Sequence, residues 1–451
     1  MEKILFRSTN RQAPEVSFKE ALLKGQAPDY GLYVPTRIPH LDSEEISKFV
    51  GIPYYEVAFR IIRMYIPEED IPTSILYDLC KQAYNFPVPI EKIDKNLFLL
   101  YLDKGPTASF KDFAARLMAR LMNYVASIEN KNLLILVATS GDTGGAVADA
   151  FFGLNNINVV ILFPEKEVTG RQRKQMTTLG GNICAIAVKG TFDDCQAIVK
   201  RAFNDPALRH KNLTSANSIN FGRLLPQTVY YFKAYCEMGS EKIGFSVPCG
   251  NFGNLMAGVL AREMGVPVER FIVAVNENDE FPKFLKTGIY KPVVPSKKCS
   301  SNAMNVGHPS NLARLIDLYG GWLTDERDAQ GRVIRKGVLK KSPDINLMRK
   351  HFVSFSINEK IVDTTIKEFY EKYGIIIEPH GAVSVAAALL ANLEIPICCF
   401  ETANPAKFPE KIRQILGIEP PVPECLARLD NIKENFVIIE NNYDKFVESI
   451  L

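Results

Sequence analysis

Short apolar runs followed by segments of helical spacing set the rhythm of this chain from residue 97 onward. The runs at 97–102, 133–137, 159–163 and 183–188 contain almost no polar residue, and the last three each lead into a helical stretch. That alternation predicts βαβ units, and hence parallel strands covered on both faces. It resumes at 243–247, 271–275 and 395–400, so the strands fall into an earlier and a later group. The predicted fold is α/β, with two doubly wound lobes. Residues 1–95 follow another grammar, with short amphipathic helices at 43–50 and 73–84 between proline-rich turns, and predict a separate, mainly helical N-terminal cap. The catalytic core is expected over 96–420, with about 130–215 as a smaller mobile lobe and 421–451 as a C-terminal tail packed on the surface. Segments 296–322 and 325–342 are irregular or charged and read as surface loops around a short helix at 311–319.

Bulk composition narrows the function by exclusion. The chain has 451 residues, 47% of them hydrophobic, enough for a large core and two or three domains. With 54 basic against 51 acidic residues, the net charge of +3 gives no field directed at nucleic acid or membrane, and neither partner is expected. The nine cysteines form no CxxC pair, and Cys398 and Cys399 sit inside an apolar run, as small core residues do. That usage predicts a reducing, cytoplasmic setting, and the charged start of the chain is too short for a signal peptide. Five isolated histidines without ligand spacing predict no metal site.

The most chemical stretch is Thr107-Ala-Ser-Phe-Lys-Asp-Phe113. Gly105 and Pro106 break the preceding run. Phe113, Ala114, Leu117, Met118, Leu121, Met122 and Val125 then recur at a helical period, which places Lys111 in the first turn. A cation there opposes the positive end of the helix dipole, and burial would favour the neutral amine that attacks carbonyls. Position alone still reads Lys111 as a solvated lysine.

Open α/β sheets bind ligands at the carboxyl ends of their strands, so the loops there are the places to examine. Ala138-Thr-Ser-Gly-Asp-Thr-Gly-Gly145 offers hydroxyls and N–H groups to an anion, although glycine also serves tight turns for steric reasons. Pro248-Cys-Gly-Asn-Phe-Gly-Asn254 reads as a phosphate cradle or as a plain capping turn, and matches neither GxGxxG nor the Walker pattern. Thr402 follows the 395–400 run, where its hydroxyl could meet a ring nitrogen. Residues 215–227 gather amides and hydroxyls around Arg223, which could grip a phosphate through two bonds or stand as a surface arginine beside an N-cap.

Together these motifs resemble the threonine synthase family, within the fold type II pyridoxal-phosphate enzymes. Ser109-Phe-Lys-Asp is similar to the family's Schiff-base element, Thr139-Ser-Gly-Asp-Thr-Gly to its substrate loop, and Gly250-Asn-Phe-Gly-Asn to its cofactor-phosphate cradle. Residues 16–22 and 31–35, Glu378-Pro-His-Gly-Ala382 and Asn404-Pro-Ala-Lys-Phe408 extend the resemblance over nearly the whole chain. It implies that Lys111 carries pyridoxal 5'-phosphate and then acts as the base. It further implies that Gly250, Asn251, Phe252, Gly253 and Asn254 hold the cofactor phosphate, with Thr402 at the ring nitrogen and Asp142 near the cofactor hydroxyl, where many relatives of the broader fold carry asparagine. Ser109, Ser140, Thr143, Asn217 and Arg223 are then the substrate-binding candidates. The implied reaction converts O-phospho-L-homoserine and water to L-threonine and phosphate by β,γ-elimination and β-hydration, in a monomer or homodimer. A phospho-lyase releasing a 2-oxo acid, ammonia and phosphate is the alternative on the same scaffold, and a binding protein without turnover is an alternative of another class.

Overall fold

The computed structural model describes residues 3–329 and 331–450, arranged around two parallel sheets. The larger sheet runs in the order Phe352–Ser356, Val268–Val275, Ile243–Pro248, Ile397–Glu401, Leu97–Tyr101 and Ile90–Lys92, with only the last strand antiparallel. The smaller sheet orders Val437–Glu440, Ile183–Lys189, Ile157–Pro164, Leu133–Ala138 and Leu213–Thr214, all parallel. The inner strands are apolar at nearly every position because helices cover both faces, which is why their runs stand out in the sequence.

Helix Lys111–Ile128 joins the two sheets. It buries Phe113, Leu117, Met118, Leu121, Met122 and Val125, and packs against helix Asp142–Phe151 of the smaller lobe and helix Thr73–Ala83 of the N-terminal segment. Tyr54 sets its ring edge against Phe113 with centroids 5.4 Å apart. Ile4, Phe6 and Phe18 share one continuous core with Phe113, Tyr230 and Phe400. The N-terminal residues thus complete the core of the larger lobe, and strand Ile90–Lys92 joins its sheet.

Two segments differ from expectation. The charged stretch 325–342 is no loop: Trp322–Arg327 and Val333–Lys341 pair as an antiparallel hairpin, whose exposed strand carries Arg335, Lys336, Lys340 and Lys341 and so hides its alternation. The C-terminal residues are more than a surface tail. Val437–Glu440 forms an edge strand of the smaller sheet, and helix Tyr443–Ile450 buries Tyr443 and Phe446 in that lobe's core. Among the described residues, no helix is long and apolar enough to cross a membrane.

Candidate active site

A cavity of about 550 Å³ opens where strands Leu133–Ala138, Ile243–Pro248 and Ile397–Glu401 end. Its wall brings together Lys111, Ser140, Asp142, Thr143, Asn217, Arg223, the loop from Gly250 to Asn254, and Thr402. Thr9, Asn10 and Gly31 add a wall from the N-terminal segment. Ser109 is the one candidate that does not line it. That residue is fully buried, its hydroxyl accepts the Lys111 backbone N–H at 3.3 Å, and its backbone bridges to Ala403. Ser109 therefore fixes the entry of the lysine helix from beneath.

Lys111 is the first residue of its helix, with a side chain only 12% exposed and Nζ 4.6 Å from the centre of the Phe110 ring. Burial pulls its pKa down to about 8. Asp142 opposes that fall, while the cations Lys407 and Arg223 add to it. The bland reading of a solvated surface lysine does not hold.

The glycine loop after Pro248 is shaped around an anion. Phe252 holds left-handed backbone at φ 61°, which a bulky residue adopts only where its surroundings impose it, here with its ring 5.0 Å from that of Phe281. A Cβ on Gly250 would stand 2.5 Å from the Ala303 carbonyl, so no other residue fits there. The N–H groups of Gly250, Asn251, Phe252 and Gly253 meet no protein acceptor among the described residues, at the mouth of helix Gly253–Glu263. The buried Asn254 Nδ2 also has no partner.

Opposite lies a second set of donors. The Thr139 hydroxyl accepts from the N–H groups of Gly141 and Gly144 at 3.0 and 2.9 Å, tying the loop that presents Ser140 and Thr143. Gly141, at φ 140° and against the Gln172 side chain, allows that turn. Arg223 is buried, donates Nη1 to the Ala216 carbonyl at 2.5 Å, and leaves Nε without a partner. Burial lowers its pKa to about 10, with Asp112 pulling upward.

Several site residues carried no assigned role in the sequence reading. The Ala303 N–H donates to His380 Nε2 at 3.2 Å, so the proton is on Nδ1, which donates to Glu378 Oε2 at 2.5 Å. Glu378 Oε1 accepts the Thr402 hydroxyl at 3.1 Å and the Gly381 N–H at 3.0 Å. Thr402 therefore presents an acceptor lone pair to the cavity. Lys407 is buried against Asp142. The motifs 378–382 and 404–408 were the only sequence signal for these residues.

A buried lysine of lowered pKa, a cradle that a Cβ would fill and orphan donors at its edge suit an aldehyde that bears a phosphate. Fold and site together define a pyridoxal-phosphate-dependent enzyme of fold type II, and the family model "Pyridoxal-phosphate dependent enzyme" matches residues 84–396. Two further models, "Threonine synthase N terminus" and "Threonine synthase, C-terminal", match residues 5–84 and 381–450. The chain is 40% identical to a threonine synthase of Haemophilus influenzae over 92% of each chain. A crystal structure of pyridoxal-phosphate-bound threonine synthase from Brucella melitensis superposes with a TM-score of 0.92 at 35% identity, covering 99% of each chain. A yeast threonine synthase structure gives 0.89 at 31% identity, covering 99% of this chain and 98% of that one. The chain belongs to the threonine synthase family, and its cofactor is pyridoxal phosphate.

Proposed function

We propose that this chain makes L-threonine and phosphate from O-phospho-L-homoserine and water. The observation that carries the reading is the position of Lys111 in one cavity with two separate sets of anion donors, one suited to a phosphate that stays and one to a phosphate that leaves. Residues Gly250 to Asn254 would hold the cofactor phosphate through their free N–H groups and the Asn254 amide. Thr402 would meet the ring nitrogen, and Asp142 would lie toward the ring hydroxyl. When bound, pyridoxal phosphate supplies an electron sink for charge on the carbons beside the substrate's amino group.

Lys111 does the proton work. With a pKa near 8, its amine is partly neutral at cellular pH, able to take a proton from a substrate carbon and to give one back. Arg223, Asn217, Ser140 and Thr143 would receive the substrate phosphate. The Arg223 Nε is buried and unpartnered, and Arg223 would stabilise the charge that builds on the leaving group as the C–O bond breaks. Ser109 would serve this site only by holding Lys111. The unpaired cysteines support a reducing compartment, and we place the enzyme in the cytoplasm.

The test is product analysis of the full chain with pyridoxal phosphate and O-phospho-L-homoserine. Equal yields of threonine and phosphate are expected. Lys111→Ala should lose the visible cofactor band and at least about a thousandfold in rate. Release of 2-oxobutyrate with ammonia in place of threonine would transfer the reading to the phospho-lyase.

A further inference from the structure

Lys407 has no part in the reaction above, yet it is a lysine whose side chain has no exposed surface. Its Nζ lies 2.8 Å from Asp142 Oδ1, which also accepts Gln172 Nε2 at 3.1 Å. The other carboxylate oxygen, Oδ2, is 3.9 Å from Lys111 Nζ. Three charged groups thus meet from three elements: the start of helix Lys111–Ile128, the start of helix Asp142–Phe151 in the smaller lobe, and the turn Pro405–Lys407 in the larger lobe. That turn is fixed from both sides. Arg171 of the smaller lobe donates to the Ala406 carbonyl at 2.7 Å, and Asn404 holds Asp103 at 2.9 Å.

Asp142 beside Lys111 raises a difficulty. A buried carboxylate whose only cation was Lys111 would keep that amine protonated, and a protonated amine neither captures an aldehyde nor accepts a proton from carbon. Attraction falls with distance and is strong inside a protein, so the contact at 2.8 Å takes the larger share of the carboxylate and the one at 3.9 Å the smaller. We infer that Lys407 is a positioning residue that claims the Asp142 carboxylate across the two lobes, leaving Lys111 without a full counter-ion and its neutral form within reach at cellular pH. The charge environment agrees. Burial lowers the Lys111 pKa, Asp142 raises it, Lys407 and Arg223 lower it further, and Glu378 raises it. Burial pushes the Asp142 carboxyl up, yet Lys407 and then Lys111 hold it well below the usual carboxylate range. Asp112, on the lysine's own helix, is turned away to bond the backbone and hydroxyl of Thr107.

The inference rests on Lys111 as the cofactor-holding amine. Its test is the pH profile for capture of added pyridoxal phosphate by the full chain, read from the visible band, which is independent of any substrate. Lys407→Met, which leaves Lys111 as the remaining cation beside Asp142, should move the midpoint to higher pH by about one unit or more. Asp142→Asn, with Lys407 still beside Lys111, should move it to lower pH. The double variant should return close to the wild-type midpoint, and Lys407→Arg should stay near it. A role confined to holding the fold would not give opposite signs. Where Lys407→Met does not fold, the sign for Asp142→Asn decides: a rise or no change overturns the inference. Unmoved profiles, or shifts of one sign in both single variants, also overturn it. If Lys111→Ala captures the cofactor as the wild type does, the error lies in the assignment of Lys111 instead.

Discussion

Asn254 Oδ1 accepts hydrogen bonds from both Tyr230 and Tyr231, at 2.7 and 2.8 Å. With both donors on the oxygen, the side-chain nitrogen is turned out as a buried donor without a protein partner. Two adjacent tyrosines in an apolar helix therefore act as an orienting clamp for one amide at the phosphate cradle. Asn254→Ala should weaken cofactor binding about tenfold, in line with the loss of one hydrogen bond to a charged group. Tyr231→Phe should weaken it less, because Tyr230 still fixes the amide. Titration of the cofactor-free chain by absorbance measures both. Unchanged affinity in Asn254→Ala would remove the amide from the cradle.

Arg223 leads to a prediction about catalysis. Its Nη1 is already given to the Ala216 carbonyl, so its position is set before any ligand arrives. Lysine lacks the planar fork that makes both contacts, and Arg223→Lys should lower kcat/KM by about a hundredfold while leaving the cofactor spectrum unchanged. A spectrum that shifts with the loss would assign Arg223 to the cofactor end of the cavity.

A third prediction concerns pH. The Lys111 pKa is lowered from the ordinary 10.5 to about 8, and the neutral amine is the attacking form. Cofactor capture by the full chain should rise about tenfold per pH unit below that value and level off above it. A midpoint near the ordinary lysine value would show that Lys111 does not sense this environment.

Glu280 bears on stability. It is 1% exposed, neither carboxyl oxygen has a hydrogen-bond partner, and burial raises its pKa from 4.5 to about 8. A carboxyl whose folded pKa is raised costs stability as pH climbs from the unfolded value to the folded one, and the full cost, on the order of 5 kcal/mol, is reached above the latter. Glu280→Gln should therefore raise the thermal midpoint, with a larger gain at about pH 8 than at about pH 5. An equal gain at both would show that charge is not the cause.

The inner strands were legible because burial on both faces leaves them few polar positions, and the loops at their ends followed from the architecture. Strand Val333–Lys341 was not, since lysine and arginine fill its exposed positions. Phe352–Ser356 and Val437–Glu440 are short edge strands, where pairing on one side asks less of the sequence. Lys111 was legible only through the loops elsewhere in the chain, because its helix entry alone reads as that of a solvated lysine. Lys407 was not assigned a role because its partner Asp142 is 265 residues away, and nothing local separates it from a solvated lysine. Ser109 was a substrate-binding candidate through the resemblance of Ser109-Phe-Lys-Asp alone, and the sequence does not separate a hydroxyl that faces a ligand from one that holds the helix entry.

The strand Val437–Glu440 has a consequence for how the enzyme is made. It covers the edge of Ile183–Lys189, in a sheet whose other strands all precede residue 215. Residues 216–436, which include most of the larger lobe, must be synthesised before that edge is closed. During translation the lobe that presents Ser140 and Thr143 waits with a row of open backbone groups, a state prone to mispairing. Loss of the chain from residue 437 onward would leave the larger lobe's sheet whole and the smaller one permanently unfinished.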